Sequence, residues 1–253
     1  MIVGILMRNI KLTIQYDGTN YCGWQKQPSS ISIQETIEET VENIIGEKVE
    51  LIGSGRTDKG VHANGQVANF LSETKIPEER IKFVLNSFLP EDIAILESKE
   101  VPLTFHSRYD AVGKEYRYYV LNSAIENPIY RNFTYHIPFK LDMGKIIKAK
   151  EYFLGTHDFS SFMASGSSVE NTTRTIYSFD IYKKDDIISF VLHGDGFLYK
   201  MVRIIVGTLI DVGRGRIDGE MIPNIFDLKD RKYSGKTAHS EGLFLQKVFY
   251  NNM

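Results

Sequence analysis

The stretch G53-S54-G55-R56-T57-D58-K59-G60-V61-H62-A63 sets three glycines, two basic residues, one carboxylate and one histidine between two apolar runs. What flanks it decides the fold class. Val49 to Ile52 reads as a strand running into the loop, and Gln66 to Leu71 as a strand leaving it. A Walker-type phosphate loop ends in Gly-Lys-Ser/Thr and opens a helix. Here the loop feeds a strand, so nucleotide hydrolysis is disfavoured, and the dinucleotide fingerprint is missing as well.

Working outward, Asn9 to Asp17 alternates, with Ile10, Leu12, Ile14 and Tyr16 on one side of a half-buried strand. A turn-rich segment, G18-T19-N20-Y21-C22-G23-W24-Q25, follows. Ser32 stands three residues before Glu35, which predicts a capping box ahead of a helix with Ile33, Ile37, Val41, Ile44 and Ile45 inward and Gly46 closing it. Pro77 opens a second helix through Phe88, and Ile93 to Leu96 begins another strand. The second half repeats the pattern: Glu115 to Leu121, Thr175 to Tyr182, Ile187 to Leu192 and Leu243 to Tyr250 as strands, Met143 to Phe153 and Phe197 to Val212 as helices. The expectation is an α+β protein of two ferredoxin-like (RRM-like) modules, residues 1–105 and 106–253, whose largely antiparallel sheets join around a central cleft. No flexible tether separates them, and a ligand is expected in the cleft.

At 253 residues the chain is long enough to bury a core, and 42% hydrophobic with 25% charged residues is ordinary for a globular protein. The single Cys22 has no internal disulfide partner and the six histidines are scattered, which points to a reducing, cytoplasmic setting. Met1 to Met7 is too short to span a membrane and lacks the layout of a targeting signal. The first six residues read as a frayed extension or a misassigned start. A net charge of -2 argues weakly against nucleic acid. Yet Glu35, Glu38, Glu39 and Glu42 concentrate on the first helix, while Arg56, Lys59, Arg108, Lys114, Arg117, Lys200, Arg203, Arg214 and Arg216 sit near the unusual loops, so a basic cleft is compatible with that total.

Chemically, glycines let the loop backbone approach a ligand, and Arg56 can pair bidentately with a carboxylate or phosphate. Asp58 and His62 could be two metal ligands, but no further cluster completes a shell, and no metal is expected. An isolated carboxylate beside an arginine suits a nucleophile or base, since a guanidinium favours its ionised form. The competing reading is a turn-closing hydrogen-bond acceptor.

G55-R56-T57-D58-K59-G60-V61-H62-A63 resembles the signature loop of the TruA family of pseudouridine synthases. The resemblance continues in Y16-D17-G18-T19-N20-Y21-C22-G23-W24-Q25, F105-H106-S107-R108-Y109-D110-A111, K114-E115-Y116-R117-Y118, H157-D158-F159-S160-S161-F162 and G196-F197-L198-Y199-K200-M201-V202-R203, in order from about Leu12 to Val248. It implies an isomerase that converts uridine to pseudouridine at positions 38 to 40 in the anticodon arm of transfer RNA, without a cofactor, as a homodimer. On that resemblance Asp58 is the nucleophile or base, Arg56 orients and ionises it, Tyr116 stacks on the target base, and Arg203 reaches the carboxylate from the second half. The base must be extruded before its atoms can be reached.

Departures are few: Lys59 stands where alanine is frequent, Ser107 where alanine is usual, and Cys22 in a slot often held by Ser, Phe or Tyr. None removes a reacting group, though they leave a ribosomal RNA target open. The rival readings are a non-catalytic RNA-binding module, for which the RNP pattern is missing, and a metal-dependent hydrolase using Asp58 and His62. Trp24 is expected to pack its loop against the core, and histidines 62, 106, 157 and 193 to serve as hydrogen-bonding scaffold.

Overall fold

The alternation of Ile10, Leu12, Ile14 and Tyr16 forms strand β1 (Arg8–Tyr16), with all four side chains buried. The computed structural model describes residues 7–166 and 169–251, so the opening six residues lie outside the described part. Helix α1 (Ile33–Ile45) starts where the cap predicts: Ser32 Oγ accepts from the Glu35 N–H at 3.2 Å, and Gly46 ends the helix at φ 79°. Strand β2 (Ile52–Gly53) is shorter than the run Val49 to Ile52 suggests. The cause is α1, whose Glu38 carboxylate accepts the Leu51 N–H at 2.9 Å while Gln34 Nε2 donates to the Leu51 carbonyl at 3.1 Å. Those backbone groups are therefore taken by side chains rather than by a neighbouring strand.

Strand β3 (His62–Ser72) begins at the very end of the glycine-rich loop and pairs antiparallel with both β1 and β2. After helix α2 (Glu78–Asn86), strand β4 (Ile93–Val101) pairs antiparallel with the other edge of β1, giving the order β4-β1-β3 with β2 beside β3. The two helices touch one another, and their buried residues, Ile33, Ile37 and Val41 with Ile81 and Leu85, share this unit's core with the apolar side of β1. The β1–β3 register slips between Ile14 and Tyr16, an irregularity of the kind that re-aims a side chain beside a functional loop.

Strand β5 (Ala111–Leu121) opens the second half; β6 (Tyr135–His136) runs parallel to it. Helix α3 (Met143–Lys150) is capped by Asp142, and its last turn tightens into a 3-10 turn over Glu151–Phe153, which is why the helical pattern reaches Phe153. Strands β7 (Gly155–Asp158), β8 (Thr173–Lys184) and β9 (Ile187–Gly194) are antiparallel neighbours, in the order β5-β9-β8-β7. Helix α4 (Met201–Gly213) is buried almost all round and packs against α3. Helix α5 (Ile222–Leu228) brings Phe226 into a cluster with Phe153 at 5.7 Å, Phe159 at 5.2 Å and Phe162 at 4.9 Å.

The final strand, β10 (Leu243–Tyr250), lies beside β3. There Asn64 Nδ2 donates to Gln246 Oε1 at 3.0 Å, and a side chain on Gly65 would meet the Gln246 carbonyl. The chain thus forms two compact units, one from the residues up to Val112 and from Leu245 onward, the other from Gly113 to Phe244. Among the described residues no helix is long and apolar enough to cross a membrane.

Candidate active site

Asp58 sits in a loop whose backbone is fixed on both sides. On the upstream side, Gln66 is fully buried on β3; its amide donates to the Gly55 carbonyl at 2.9 Å and its oxygen accepts the Ser54 hydroxyl at 2.7 Å. Thr57 is buried next to Asp58 and is gripped twice: its hydroxyl shares a 2.9 Å hydrogen bond with the Tyr16 phenol, and its carbonyl accepts the Trp24 N–H at 3.1 Å. Burial pushes the Tyr16 phenol pKa up, so the ring stays neutral and serves as a hydrogen-bonding post.

Downstream, the Val61 N–H returns to the Asp58 carbonyl at 3.1 Å across Lys59 and Gly60, with Gly60 at φ 74°. A positive φ at the third residue of such a turn is what glycine supplies without strain. His62 then closes the loop in full burial, its Nδ1 accepting the Gly18 N–H at 3.1 Å.

The segment from Tyr16 to Trp24 is the other half of this clamp. A Cβ on Gly23, whose φ is 112°, would lie 2.4 Å from the Thr57 carbonyl oxygen and 3.0 Å from the Asp58 carbonyl carbon. One on Gly18 would strike the Val61 carbonyl at 2.0 Å, and one on Gly53 would enter the Trp24 ring. Trp24 is buried, as its packing role predicts, 6.2 Å from the Tyr16 ring. Backbone therefore lies directly on backbone around Asp58, which leaves the loop few ways to move.

Asp58 itself is half-buried, and Arg56 is exposed. The two do not pair: among the described residues Arg56 makes no ion pair or side-chain hydrogen bond. Thr57, between them, is buried. The Asp58–His62 metal reading meets a further fact: among the described residues no group of three His, Cys, Asp or Glu side chains is placed to hold an ion.

The remaining candidates belong to the second unit. Tyr116 and Tyr118 share one side of β5 and diverge there in role. Tyr118 is fully buried and its hydroxyl donates to the His239 carbonyl at 2.7 Å, a core position. Tyr116 is 8% exposed and meets the Phe197 ring edge-on at 5.1 Å. Arg203, in the first turn of α4, donates from Nε to the Ala238 carbonyl at 2.8 Å, and its own carbonyl accepts the Ala238 N–H at 3.0 Å. The helix lies close on that segment because of Gly207, where a Cβ would fall 1.7 Å from the Lys236 carbonyl.

Periodicity alone gives Tyr16 as a strand position facing the core and Gln66 as the start of a strand; their grip on the loop shows only in three dimensions. The signal that could have found them is polarity at an inward site. A buried Gln or a phenol facing the core needs a partner.

With the loop in place, comparison with known proteins is decisive: a family model described as tRNA pseudouridine synthase matches residues 12–110 and 149–251. The chain belongs to the tRNA pseudouridine synthase family. Full-length relatives agree with the match. The chain is 52% identical over 244 residues to tRNA pseudouridine synthase A of Acetivibrio thermocellus, covering 96% of this chain and 100% of that one. It is also 52% identical to the Clostridium kluyveri protein of the same name, with the same coverage. The protein called tRNA pseudouridine synthase A 2 in Clostridium tetani is 50% identical over 97% of this chain and 100% of its own length. Both halves of the clamp, the loop around Asp58 and the segment from Tyr16 to Trp24, fall inside the matched residues.

Proposed function

We propose that this protein is a tRNA pseudouridine synthase in which Asp58 is the reacting carboxylate. The reaction breaks the bond between uracil N1 and ribose C1′, turns the base, and joins C5 to C1′. The hydrogen on C5 leaves to solvent as a proton, N1 takes up a proton in its place, and nothing is oxidised or reduced, so the chemistry requires a placed carboxylate and a pocket. The observation that carries the reading is the backbone clamp on the residues flanking Asp58, since a reacting group held in place before substrate arrives lowers the barrier by positioning.

The finer assignments rest on the resemblance. Tyr116 offers a ring, already braced by Phe197, on which a uracil can stack. Arg203 is, on that resemblance, a further substrate-binding residue. Arg56, two residues from Asp58, favours its ionised form, and its exposed guanidinium is available to substrate. The substrate region we infer is the anticodon arm, at positions 38 to 40, and the working form a cytoplasmic homodimer. The strand order β4-β1-β3-β2 with helices after β1 and β3 supports the ferredoxin-like reading of the first module. The division into residues 1–105 and 106–253 is proposed as the order in which two such modules are encoded.

The test is tritium release from an unmodified tRNA transcript labelled at uridine C5, with chelator present and no cofactor added, followed by mapping of the product. Release mapped to positions 38 to 40 is expected. Release elsewhere would overturn the anticodon assignment, and no release from any transfer RNA would overturn the activity.

A further inference from the structure

Residues 102 to 110 form a loop that the reaction does not call on, yet it is anchored as firmly as the catalytic one. Phe105 and Ser107 are buried. Asn9 Nδ2 donates to the Phe105 carbonyl at 2.9 Å, Asn69 Oδ1 accepts both the Ser107 N–H and its hydroxyl, and the Tyr250 phenol donates to the Ser107 carbonyl at 2.7 Å. On this base the ring of Tyr109 stands 75% exposed.

An exposed tyrosine ordinarily swings freely. This one is braced: the His106 ring lies 4.2 Å from it at a 32° tilt, and His106 Nδ1 accepts the N–H groups of Arg108 and Tyr109. The Arg108 guanidinium sits 5.8 Å from the ring centre, is exposed, and pairs with no carboxylate among the described residues. Tyr199 and Tyr233 also have a cation beside them, but both are less exposed and, among the described residues, neither is stacked on a second ring.

We infer that Tyr109, backed by His106 and flanked by Arg108, is a preformed stacking platform for an unpaired RNA base, with Arg108 neutralising the phosphate next to it. A largely exposed aromatic ring accepts any base, and an unpaired guanidinium beside it suits the backbone charge of RNA rather than an apolar protein face. The platform rests on the proposed activity and supplies what that activity needs. Extruding the target base costs unstacking energy, and contacts away from the reacting atoms must offset it.

The test uses the full chain and an unmodified tRNA transcript, measuring equilibrium affinity and the single-turnover rate at saturating enzyme. Tyr109→Ala is expected to weaken binding about tenfold while leaving the saturated rate unchanged, and Tyr109→Phe to restore binding. Arg108→Gln should lower the salt dependence of binding by roughly one ion. As a direct probe, Tyr109→Trp fluorescence should be quenched on titration with the transcript, above the background of buried Trp24. Wild-type affinity in Tyr109→Ala, or no quenching in Tyr109→Trp, overturns the platform while leaving the activity standing. A changed oligomeric state at unaltered RNA affinity assigns the ring to a second copy and overturns it too. A wild-type protein that neither binds nor modifies the transcript removes both readings.

Discussion

Gly23→Ala is the substitution that most directly asks whether the clamp sets the position of Asp58. Its Cβ would stand 2.4 Å from the Thr57 carbonyl oxygen, whereas ordinary contact begins at 3.4 Å, so the Thr57–Asp58 backbone must retreat by about 1 Å. The residue is also held at φ 112°, where an L side chain adds about 1–2 kcal/mol of strain. A misplacement of about 1 Å costs on the order of 10²-fold in rate, or about 2.7 kcal/mol. Strain of that size lowers Tm by roughly 2–8 °C for a protein of this length. The assay is single-turnover tritium release at saturating enzyme, with tRNA affinity and thermal unfolding measured on the same preparation. A rate about a hundredfold lower at nearly unchanged affinity is expected. Turnover within threefold of wild type, in a variant that shows the expected drop in Tm, would refute the idea that the clamp positions the reacting group.

Other consequences follow from single contacts. Tyr16→Phe removes the phenol from a buried hydrogen bond and leaves the Thr57 hydroxyl without it, so thermal unfolding should show a loss of about 1–3 kcal/mol. Its turnover should fall further than its tRNA affinity. In the second unit, the Asp158 carboxyl is held well below the usual carboxylate range, chiefly by the Thr172 hydroxyl and further by Lys229 and Ser160. Its native pKa lies below its unfolded value of about 3.9, so its stabilisation is present above that pH and lost as pH falls through the native value. Asp158→Asn should therefore lower Tm at pH 7, with the gap to wild type closing as melts are taken from pH 5 down to pH 2; a gap independent of pH would contradict the assignment.

Much of the fold was legible because it is written locally. Helix α1 announces both of its ends, through Ser32 and Gly46, and the alternation in β1 needs no partner to be read. Elements were missed where local signals are short. β6 has two residues, β7 four and α5 seven, and each is held by neighbours rather than by its own periodicity. The truncation of β2 comes from Glu38 and Gln34 reaching back from α1, a contact no window around residue 50 contains. The placement of Leu245 and its successors with the first unit depends on Asn64 and Gly65, about 180 residues away in the chain by the Asn64–Gln246 separation of 182.

For the site, the close approach of backbone in the loop was visible in its glycines. The burial of Thr57 between Arg56 and Asp58 was not. Tyr16 was read as core, correctly by burial, but its hydroxyl is what meets the loop.

The most direct measurement of the central claim is single-turnover pseudouridine formation by Asp58→Asn, with tRNA affinity and thermal unfolding measured in parallel. The amide keeps the shape of the side chain and removes its charge and basicity. Folding and tRNA binding close to wild type with no detectable product is the expected result. Product formed at the wild-type rate would show that Asp58 is not the reacting carboxylate.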